Sequence, residues 1–177
     1  MTKLSSTIEN FILQYGELAS HWGLNKTEAQ IHALLFVTEK PLTAEEITTH
    51  LSVARSNVSN SLKELQQWGI VRTVHVMGDR REHYDATKDV WEMFRSVVNE
   101  QKRREIDPVL RMLEKTVAEL DKDGKESGHA KEQLSEMLDF FTVMNSWYED
   151  MRGVPLPIIK TFLKLGSKAV KTLGLLK

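Results

Sequence analysis

Residues 43–84 hold the pattern that most constrains the fold of this chain: TAEEITTHLSVARSNVSNSLKELQQWGIVRTVHVMGDRREHY. Thr43 is followed three residues later by Glu46, which predicts a capping box at the start of a helix. A second helical stretch comes next, and then a β-rich stretch whose turn signal, Gly78-Asp79, predicts a hairpin. The order helix, tight turn, helix, hairpin describes a winged helix-turn-helix.

The second helix of this pattern has one apolar stripe. Val58, Leu62 and Leu65 recur at helical spacing, so we expect them to point into the protein interior. We also expect Ser52 to cap this helix, which then runs to about Trp68. The helix is otherwise rich in small polar and basic side chains, and these fall largely outside the stripe.

An outward face of arginine, serine and asparagine suits the major groove of DNA, where such side chains reach base edges. Arg55 matches guanine, and Asn57 or Asn60 matches adenine. The others suit phosphates or bases. The predicted DNA contacts of this region are Thr43, Ser52, Arg55, Ser56, Asn57, Ser59, Asn60 and Lys63.

The predicted hairpin, which we call the wing, adds three basic residues. Arg80 and Arg81 lie at its tip, where they can enter a narrow minor groove or hold phosphates. Arg72, at its base, suits a phosphate or a carboxylate. The alternative for Arg80 and Arg81 is a solvated turn. A second alternative, for the whole motif, is a winged protein-interaction module without specific DNA binding.

The composition excludes some classes of protein but does not identify the function. The formal net charge is −1, so any attraction to nucleic acid must come from a locally basic surface. The chain has no cysteine, which excludes disulfides and thiolate metal sites and fits a cytoplasmic protein. No stretch approaches the roughly 18 apolar residues of a transmembrane helix, and we expect no membrane partner.

Helical spacing continues on both sides of the motif. Leu4 to Trp22 predicts an amphipathic helix, and long helices are expected after residue 88. Asp107-Pro108 predicts a helix restart or a kink. The expected fold is mainly α, with a winged helix-turn-helix, a small β-hairpin and long C-terminal dimerisation helices. We expect an N-terminal helix in 1–23 that is part of the dimer interface, the DNA-binding domain in 24–88, and a helical dimerisation and effector region in 89–177.

Two further helical patterns lie in the last of these regions. One is a coiled-coil-like seam with 4, 3, 4, 3 spacing: Ile106, Leu110, Leu113, Val117 and Leu120. The other is a face of a helix from about His129 to Met151: Leu134, Met137, Leu138, Phe141, Met144, Asn145 and Tyr148. We expect both sets to be turned toward packing partners.

The stretch LNKTEAQIHALLFVTEKPLTAEEITTHLSVARSNVSNSLKELQQWGIVRTVHVMGDRREHY, residues 24–84, resembles the MarR-like winged-helix regulators. The nearest branch is the one named for the glycine betaine synthesis repressor. This resemblance implies a homodimer on a pseudo-palindromic operator in double-stranded DNA, with the second helix of the motif in the major groove. It also implies a small effector, because some members of the branch respond to choline or related osmoprotectants.

Aromatic residues supply a candidate effector site. Trp91 and Phe94 follow the wing, and Trp147 and Tyr148 lie in a later helix. Aromatic faces can enclose a quaternary ammonium by cation–π attraction. The alternative is packing in the core or at a dimer interface, which is the commoner use of large residues at helical spacing.

The remaining patterns favour neither catalysis nor a cofactor. No catalytic triad, glycine-rich phosphate loop or paired-carboxylate site stands out, so we expect no enzyme and no cofactor. His75 and His83 face each other across the predicted wing, but we expect no metal there. The C-terminal segment has Lys160, Lys164, Lys168 and Lys171 near one helix face, which suits a packed helix or a membrane-surface helix.

Overall fold

A computed structural model of the protein describes residues 4–19, 21, 23–123, 128–155, 157–159, 161 and 165–166. The chain forms two compact units, with the boundary between Gln101 and Lys102. Trp22 and the lysines of the C-terminal segment lie outside the described residues, so the expectations for them stay predictions. No helix in the described part of the chain is long and apolar enough to cross a membrane.

The first unit consists of helices and short strands. Its elements in chain order are α1 (Ser6–Ala19), α2 (Lys26–Val37), β1 (Leu42–Thr43), α3 (Ala44–Leu51), α4 (Arg55–Gln67), β2 (Val71–Val74), β3 (His83–Ala86) and α5 (Val90–Gln101). The helix-turn-helix predicted from the sequence corresponds to α3 and α4, and the predicted wing corresponds to β2, β3 and the loop between them.

Side-chain caps fix the starts of α2 and α3. The Asn25 side chain accepts a hydrogen bond from the backbone N–H of Glu28, and the Glu28 carboxylate accepts one from the Asn25 N–H at 3.0 Å. The same reciprocal arrangement links Thr43 and Glu46 across the start of α3, where the Thr43 N–H donates to Glu46 Oε2 at 2.8 Å. The predicted capping box at Thr43 is confirmed.

The turn between α3 and α4 differs from the prediction. Ser52 has φ 53° and ψ 37°, a left-handed conformation that ends α3. Val53 and Ala54 then complete the turn, and Ala54 occupies the N-cap position of α4 without a side-chain hydrogen bond. The prediction that Ser52 caps the second helix is therefore wrong, because Ser52 lies too far before Arg55 and serves as the C-cap of α3 instead.

The strands form a three-stranded antiparallel sheet in the order β1-β3-β2. The wing hairpin pairs Val71 with Ala86 and Val74 with His83. The sequence predicted this hairpin but missed β1, which pairs Thr43 with His83 on the other side of β3. Two residues are too few to show an alternating pattern, yet they fix the start of α3 against β3 of the wing.

The core of the first unit lies where α4 packs against α2 and α3. Val58, Leu62 and Leu65 are buried, as their spacing predicted, and they join Ile31 and Leu34 of α2 in one apolar cluster. Full burial of each such side chain is worth roughly 1.5–3 kcal/mol. This stripe orients α4, because rotating the helix about its axis would expose it.

Helices outside the predicted 24–88 domain contribute to the same core. Ile12 and Ala19 of α1 are buried in it, and Met93 and Val97 of α5 pack against it. The compact unit is therefore wider than residues 24–88. The functional division into 1–23, 24–88 and 89–177 stays a prediction.

The second unit begins with a π-helical turn, Lys102–Ile106, followed by α6 (Asp107–Asp123) and α7 (Gly128–Arg152). Pro108 lacks an N–H, and its ring clashes with the carbonyl four residues earlier in an ordinary α-helix. The wider π turn directly before it accommodates this residue. The predicted irregularity at Asp107-Pro108 thus takes the form of a widened helical turn.

The apolar seam predicted for α6 is confirmed, since its residues are buried or half-buried and α6 packs against α7. The face predicted for α7 is partly wrong. Its less exposed residues are Leu134, Leu138, Phe141, Asn145 and Tyr148. Met137 and Met144 are exposed instead, and together with Phe140 and Trp147 they form a second apolar stripe.

Candidate nucleic-acid interface

The outer face of α4 is polar and open. Arg55, Ser56, Asn57, Asn60 and Lys63 are exposed, and Ser59 is half-buried. The apolar stripe on the opposite side of α4 fixes this orientation. A helix presented in this way offers guanidinium, amide and hydroxyl groups at the positions from which a recognition helix contacts base edges.

Arg55, the first residue of α4, forms an ion pair with Glu45 in the first turn of α3. Both side chains are largely exposed. The pKa of the Glu45 carboxyl is lowered by a hydrogen bond from the Glu45 backbone N–H and by the charge of Arg55. Glu45 therefore stays ionised near neutral pH and holds the Arg55 guanidinium at one end of the exposed polar face of α4.

The wing turns at Gly78, whose φ of 84° suits glycine. Arg81 is held close to the turn because the Asp79 carboxylate accepts hydrogen bonds from its backbone N–H at 3.0 Å and from its Nε at 3.0 Å. These bonds hold the pKa of Asp79 well below its ordinary value. Arg80 has no carboxylate partner among the described residues and extends into solvent.

His83 supports the wing from beneath. Its side chain is buried, its Nδ1–H donates to the Arg81 carbonyl oxygen at 3.0 Å, and its Nε2 lies 3.6 Å from Asp79 Oδ2. The ring thus fixes the backbone of Arg81 and faces the carboxylate that holds the Arg81 side chain. Among the described residues no group of three or more potential ligands that could hold a metal ion is found.

The base of the wing is joined to α2 by charged contacts. Arg72 Nη2 lies 3.3 Å from Asp85 Oδ2, and Asp85 Oδ1 lies 3.3 Å from Lys88 Nζ. The Lys88 ammonium also donates to the carbonyl oxygens of Phe36 at 3.2 Å and Thr38 at 2.8 Å, and to that of Leu35. Lys88 therefore caps the C-terminal end of α2, where a cation is favoured by the helix dipole.

Two residues proposed from the sequence lie apart from the open face. Thr43 is fully buried, and its hydroxyl is engaged with Glu46 in the capping box, so this side chain is not available to DNA. We therefore remove Thr43 from the interface. Ser52 is exposed in the left-handed turn that precedes α4, where it remains available for a backbone contact.

The aromatic residues proposed for an effector divide between the two units. Trp91 and Phe94 lie on α5, and Phe94 is exposed. On α7, Trp147 is exposed and Tyr148 is half-buried. The Lys102 ammonium lies 5.7 Å from the centroid of the Tyr148 ring, so this ring already faces a cation within the second unit.

Lys102 occupies a polar corner of the second unit. Its Nζ lies 2.8 Å from Asp107 Oδ1 and 3.1 Å from Glu149 Oε1. The hydrogen bond to Asp107, with help from Glu149, raises the pKa of Lys102. The Lys102 ammonium is therefore held in its charged form within this corner.

Sequence reasoning found the basic residues of the interface and missed their acidic partners. Glu45 and Asp85 contact arginines that are ten and thirteen residues away in the chain, so only the folded helix pair and the strand register reveal them. The pair formed by Asp79 and Arg81 is separated by a single residue in a turn, and that spacing was a usable signal.

Residues 22–82 match the model of the MarR family. The chain is similar to the HTH-type transcriptional repressor OpcR of Bacillus subtilis, with 24% identity over 75% of this chain and 83% of OpcR. It is also similar to the putative HTH-type transcriptional regulator YvaV of the same organism, with 20% identity over 53% of each chain.

Among solved structures, the crystal structure of a transcriptional regulator superposes with a TM-score of 0.67 and 22% identity, covering 83% of this chain and 96% of that chain. This likeness shows that the fold is shared. Taken with the exposed face of α4 and the wing beside it, the matches lead to one conclusion: residues 22–82 form a winged helix-turn-helix that matches the model of the MarR family, and the protein is a DNA-binding transcriptional regulator.

Proposed function

We propose that the protein is a cytoplasmic homodimeric repressor that reads a pseudo-palindromic operator, with α4 of each protomer in a major groove and the wing near a minor groove. The observation that carries the proposal is the orientation of α4. Because Val58, Leu62 and Leu65 fill the core, the polar face of α4 is held outward. The similarity to a repressor supports the direction of control.

The exposed residues fall into two groups by their chemistry. One group suits contacts with DNA bases, and the other suits contacts with the DNA backbone. Arg55 can bind guanine through two hydrogen bonds, and Asn57 and Asn60 can bind adenine in the same way. Arg80 and Arg81 suit the narrow, strongly negative minor groove, because the wing holds them at its tip. Ser52, Ser56, Ser59, Lys63 and Arg72 suit phosphates or nearby bases.

The proposed dimer uses apolar surfaces that a single protomer leaves open. Met137, Phe140, Met144 and Trp147 recur on α7 with 3, 4, 3 spacing and are all exposed. A second copy of the chain covers such a stripe well, since both copies carry it. The dimer would then set two recognition helices about 34 Å apart, one turn of DNA.

We further propose the branch named for the glycine betaine synthesis repressor, with choline or a related organic cation as the effector. The resemblance of residues 24–84 supports the branch. The response of some members of that branch to choline supports a cation as the ligand type. Choline chloride should release the protein from its operator, whereas sodium chloride at equal ionic strength should not.

The DNA proposal is tested by selecting a duplex from a random library with the full-length protein and measuring its affinity by fluorescence anisotropy. We expect one enriched pseudo-palindrome bound far more tightly than a scrambled duplex. If the protein binds every duplex equally, at the non-specific level of roughly 10⁻⁴ to 10⁻⁶ M, the reading function fails and the alternative of a protein-interaction module stands.

A further inference from the structure

Glu45 is an exposed carboxylate that the capping of α3 does not use. It is the second residue of α3, next to Glu46. The capping box uses Glu46, whose carboxylate accepts hydrogen bonds from the Thr43 N–H at 2.8 Å and from the Thr43 hydroxyl at 2.9 Å. The Glu45 side chain is 46% exposed and pairs with Arg55 of α4. Of the two adjacent carboxylates, one closes the start of α3 and the other contacts the exposed polar face of α4.

Arg55 occupies a position where a cation does not stabilise its own helix. It is the first residue of α4, and the first turn of that helix contains no acidic residue. The N-terminal end of a helix carries a partial positive charge, so the helix dipole disfavours a guanidinium there. The carboxylate of Glu45 offsets this repulsion. DNA reading explains the placement, because the N-terminal residues of a recognition helix contact base edges.

The same carboxylate interacts electrostatically with the wing. The pKa of Glu45 is lowered by a hydrogen bond from its own backbone N–H, by Arg55 and by the charge of Arg81. The pKa of Arg81 is raised mainly by its hydrogen bond to Asp79. The charges of Glu46 and Glu45 raise it further. Glu45 thus acts on two arginines for which we propose contacts in different grooves of DNA.

A guanidinium that is paired with a carboxylate distinguishes between the acceptors that DNA offers. Arginine has five N–H donors, so the bond from Arg55 Nη1 to Glu45 leaves donors for the O6 and N7 atoms of guanine. These base atoms carry no net charge, so they bind without displacing the carboxylate. A phosphate is an anion, which Glu45 repels and with which it competes for Arg55. The ion pair therefore favours a base contact over a backbone contact.

We propose that Glu45 is a specificity-determining residue, which holds Arg55 toward the edge of a guanine and keeps it from the phosphates. Glu45 acts through Arg55, so it is a positioning residue and needs no DNA contact of its own. This inference rests on the proposed reading of DNA by α4. Glu45 then lowers the affinity for DNA in general and raises the preference for one base pair in each half-site.

The test uses the full-length protein, the duplex that the wild type enriches from a random library, single-base variants of that duplex, and a scrambled duplex. Glu45→Gln removes the charge and keeps the length of the side chain. It should lower the discrimination at one base pair per half-site about fivefold, as expected for a weakened guanine contact. Affinity for the scrambled duplex should rise about threefold, and the salt slope should steepen by about one, because Arg55 becomes free to bind a phosphate.

A merely structural role of Glu45 would not produce this pattern. An exposed ion pair contributes little to folding stability, so Glu45→Gln should keep the urea midpoint of the wild type. In an Arg55→Ala background, Glu45→Gln should cause no further loss of discrimination, because the side chain on which it acts is gone. Glu119→Gln is the matched control, since Glu119 is an exposed carboxylate that pairs with Lys115 on α6. It should leave discrimination and slope unchanged.

The outcomes separate this proposal from the proposed function. If the wild type enriches no sequence, DNA reading fails and the role of Glu45 falls with it. If the wild type reads its duplex but Glu45→Gln discriminates as well as the wild type at every base pair, the role of Glu45 alone is overturned. It is also overturned if Glu45→Gln lowers discrimination equally with and without Arg55. Lost discrimination at the base pair that Arg55 reads, together with tighter binding to the scrambled duplex, supports it.

Discussion

The two units of the protein differ in how much of their apolar surface they cover by themselves. In the first unit, α2 and α4 are packed around fully buried side chains such as Leu34, Leu35 and Leu65. In the described part of the second unit, Leu113 is the one buried aliphatic side chain, and α7 has no buried residue over its 25 residues. The first unit has a core of its own, which fixes the orientation of α4. In the second unit, two long helices bury only the faces that they turn toward each other, so their outer faces stay exposed.

The largest effect is expected from a substitution in the core of the first unit. Leu65→Ala should lower the free energy of unfolding by about 3–4 kcal/mol, because it removes a fully buried side chain and leaves a cavity. Urea denaturation measures this loss. Val143→Ala on the exposed surface of α7 should change the free energy of unfolding by less than about 0.5 kcal/mol. Equal losses in the two variants would contradict the contrast between the units.

A second effect of similar size depends on pH. His32 is 2% exposed, and neither of its ring nitrogens has a hydrogen-bond partner among the described residues. Burial, with the charge of Lys88, lowers the pKa of His32 from 6.5 to about 4. The unfolded chain therefore takes up a proton on His32 at a higher pH than the folded protein. Stability from neutral His32 is fully present above about pH 6.5 and falls by about 3 kcal/mol as the pH drops to about 4.

The measurement compares urea midpoints of the wild type and His32→Phe between neutral pH and pH 4. The variant cannot take up this proton, so the stability difference should shift by about 3 kcal/mol in its favour over that range. His129→Phe, which replaces an exposed histidine on α7, should track the wild type. If His32→Phe and the wild type lose stability in parallel, His32 is not the group that titrates.

The third prediction locates DNA reading in the first unit. Arg55→Ala should weaken binding to the enriched duplex by about 1–3 kcal/mol and relax the preference at one base pair. Arg80→Ala should weaken binding to all sequences more evenly. Arg111→Ala, an exposed arginine on α6, is the control and should leave both affinity and preference unchanged. Anisotropy titrations on single-base variants of the duplex distinguish these patterns.

The fourth prediction concerns the open stripe of the second unit. Phe140 is 61% exposed, and Phe140→Glu would place a charge in the proposed dimer interface. We expect the dimer dissociation constant to rise more than tenfold in sedimentation equilibrium, or about 1.4 kcal/mol. Glu132→Gln, an exposed change earlier on the same helix, is the control. A dimer of unchanged strength in Phe140→Glu would show that α7 pairs through another surface or not at all.

The smallest expected effect tests the contact between α1 and α2. A Cβ added at Gly16 would lie 2.7 Å from Gln30 Cγ, and the buried Gln30 side chain has little room to move. Gly16→Ala should therefore destabilise the protein by about 1–2 kcal/mol. Gly128→Ala meets no atom within 4 Å and should be neutral or slightly stabilising in the same thermal unfolding experiment.

Most of the first unit could be predicted because its residues obey local rules. The spacing of Val58, Leu62 and Leu65 gave the buried side of α4, and the capping box gave the start of α3. The glycine turn gave the wing. These features depend on neighbours within a few positions, so one sequence is enough to find them.

The features that were missed depend on contacts between distant segments. The strand β1 exists because Leu42 and Thr43 meet β3, and the ion pairs of Arg55 and Arg72 exist because of helix packing and strand register. On α7, two apolar stripes share the same spacing. Nothing local distinguishes the stripe that meets α6 from the one that contains Met137 and Met144.

The contacts of Lys88 have a mechanical consequence. One ammonium binds Asp85 at the end of β3 and the last carbonyl oxygens of α2, so the root of the wing and the central scaffold helix are joined by a single side chain. Tilting the hairpin away from α2 would therefore break these contacts of one ammonium.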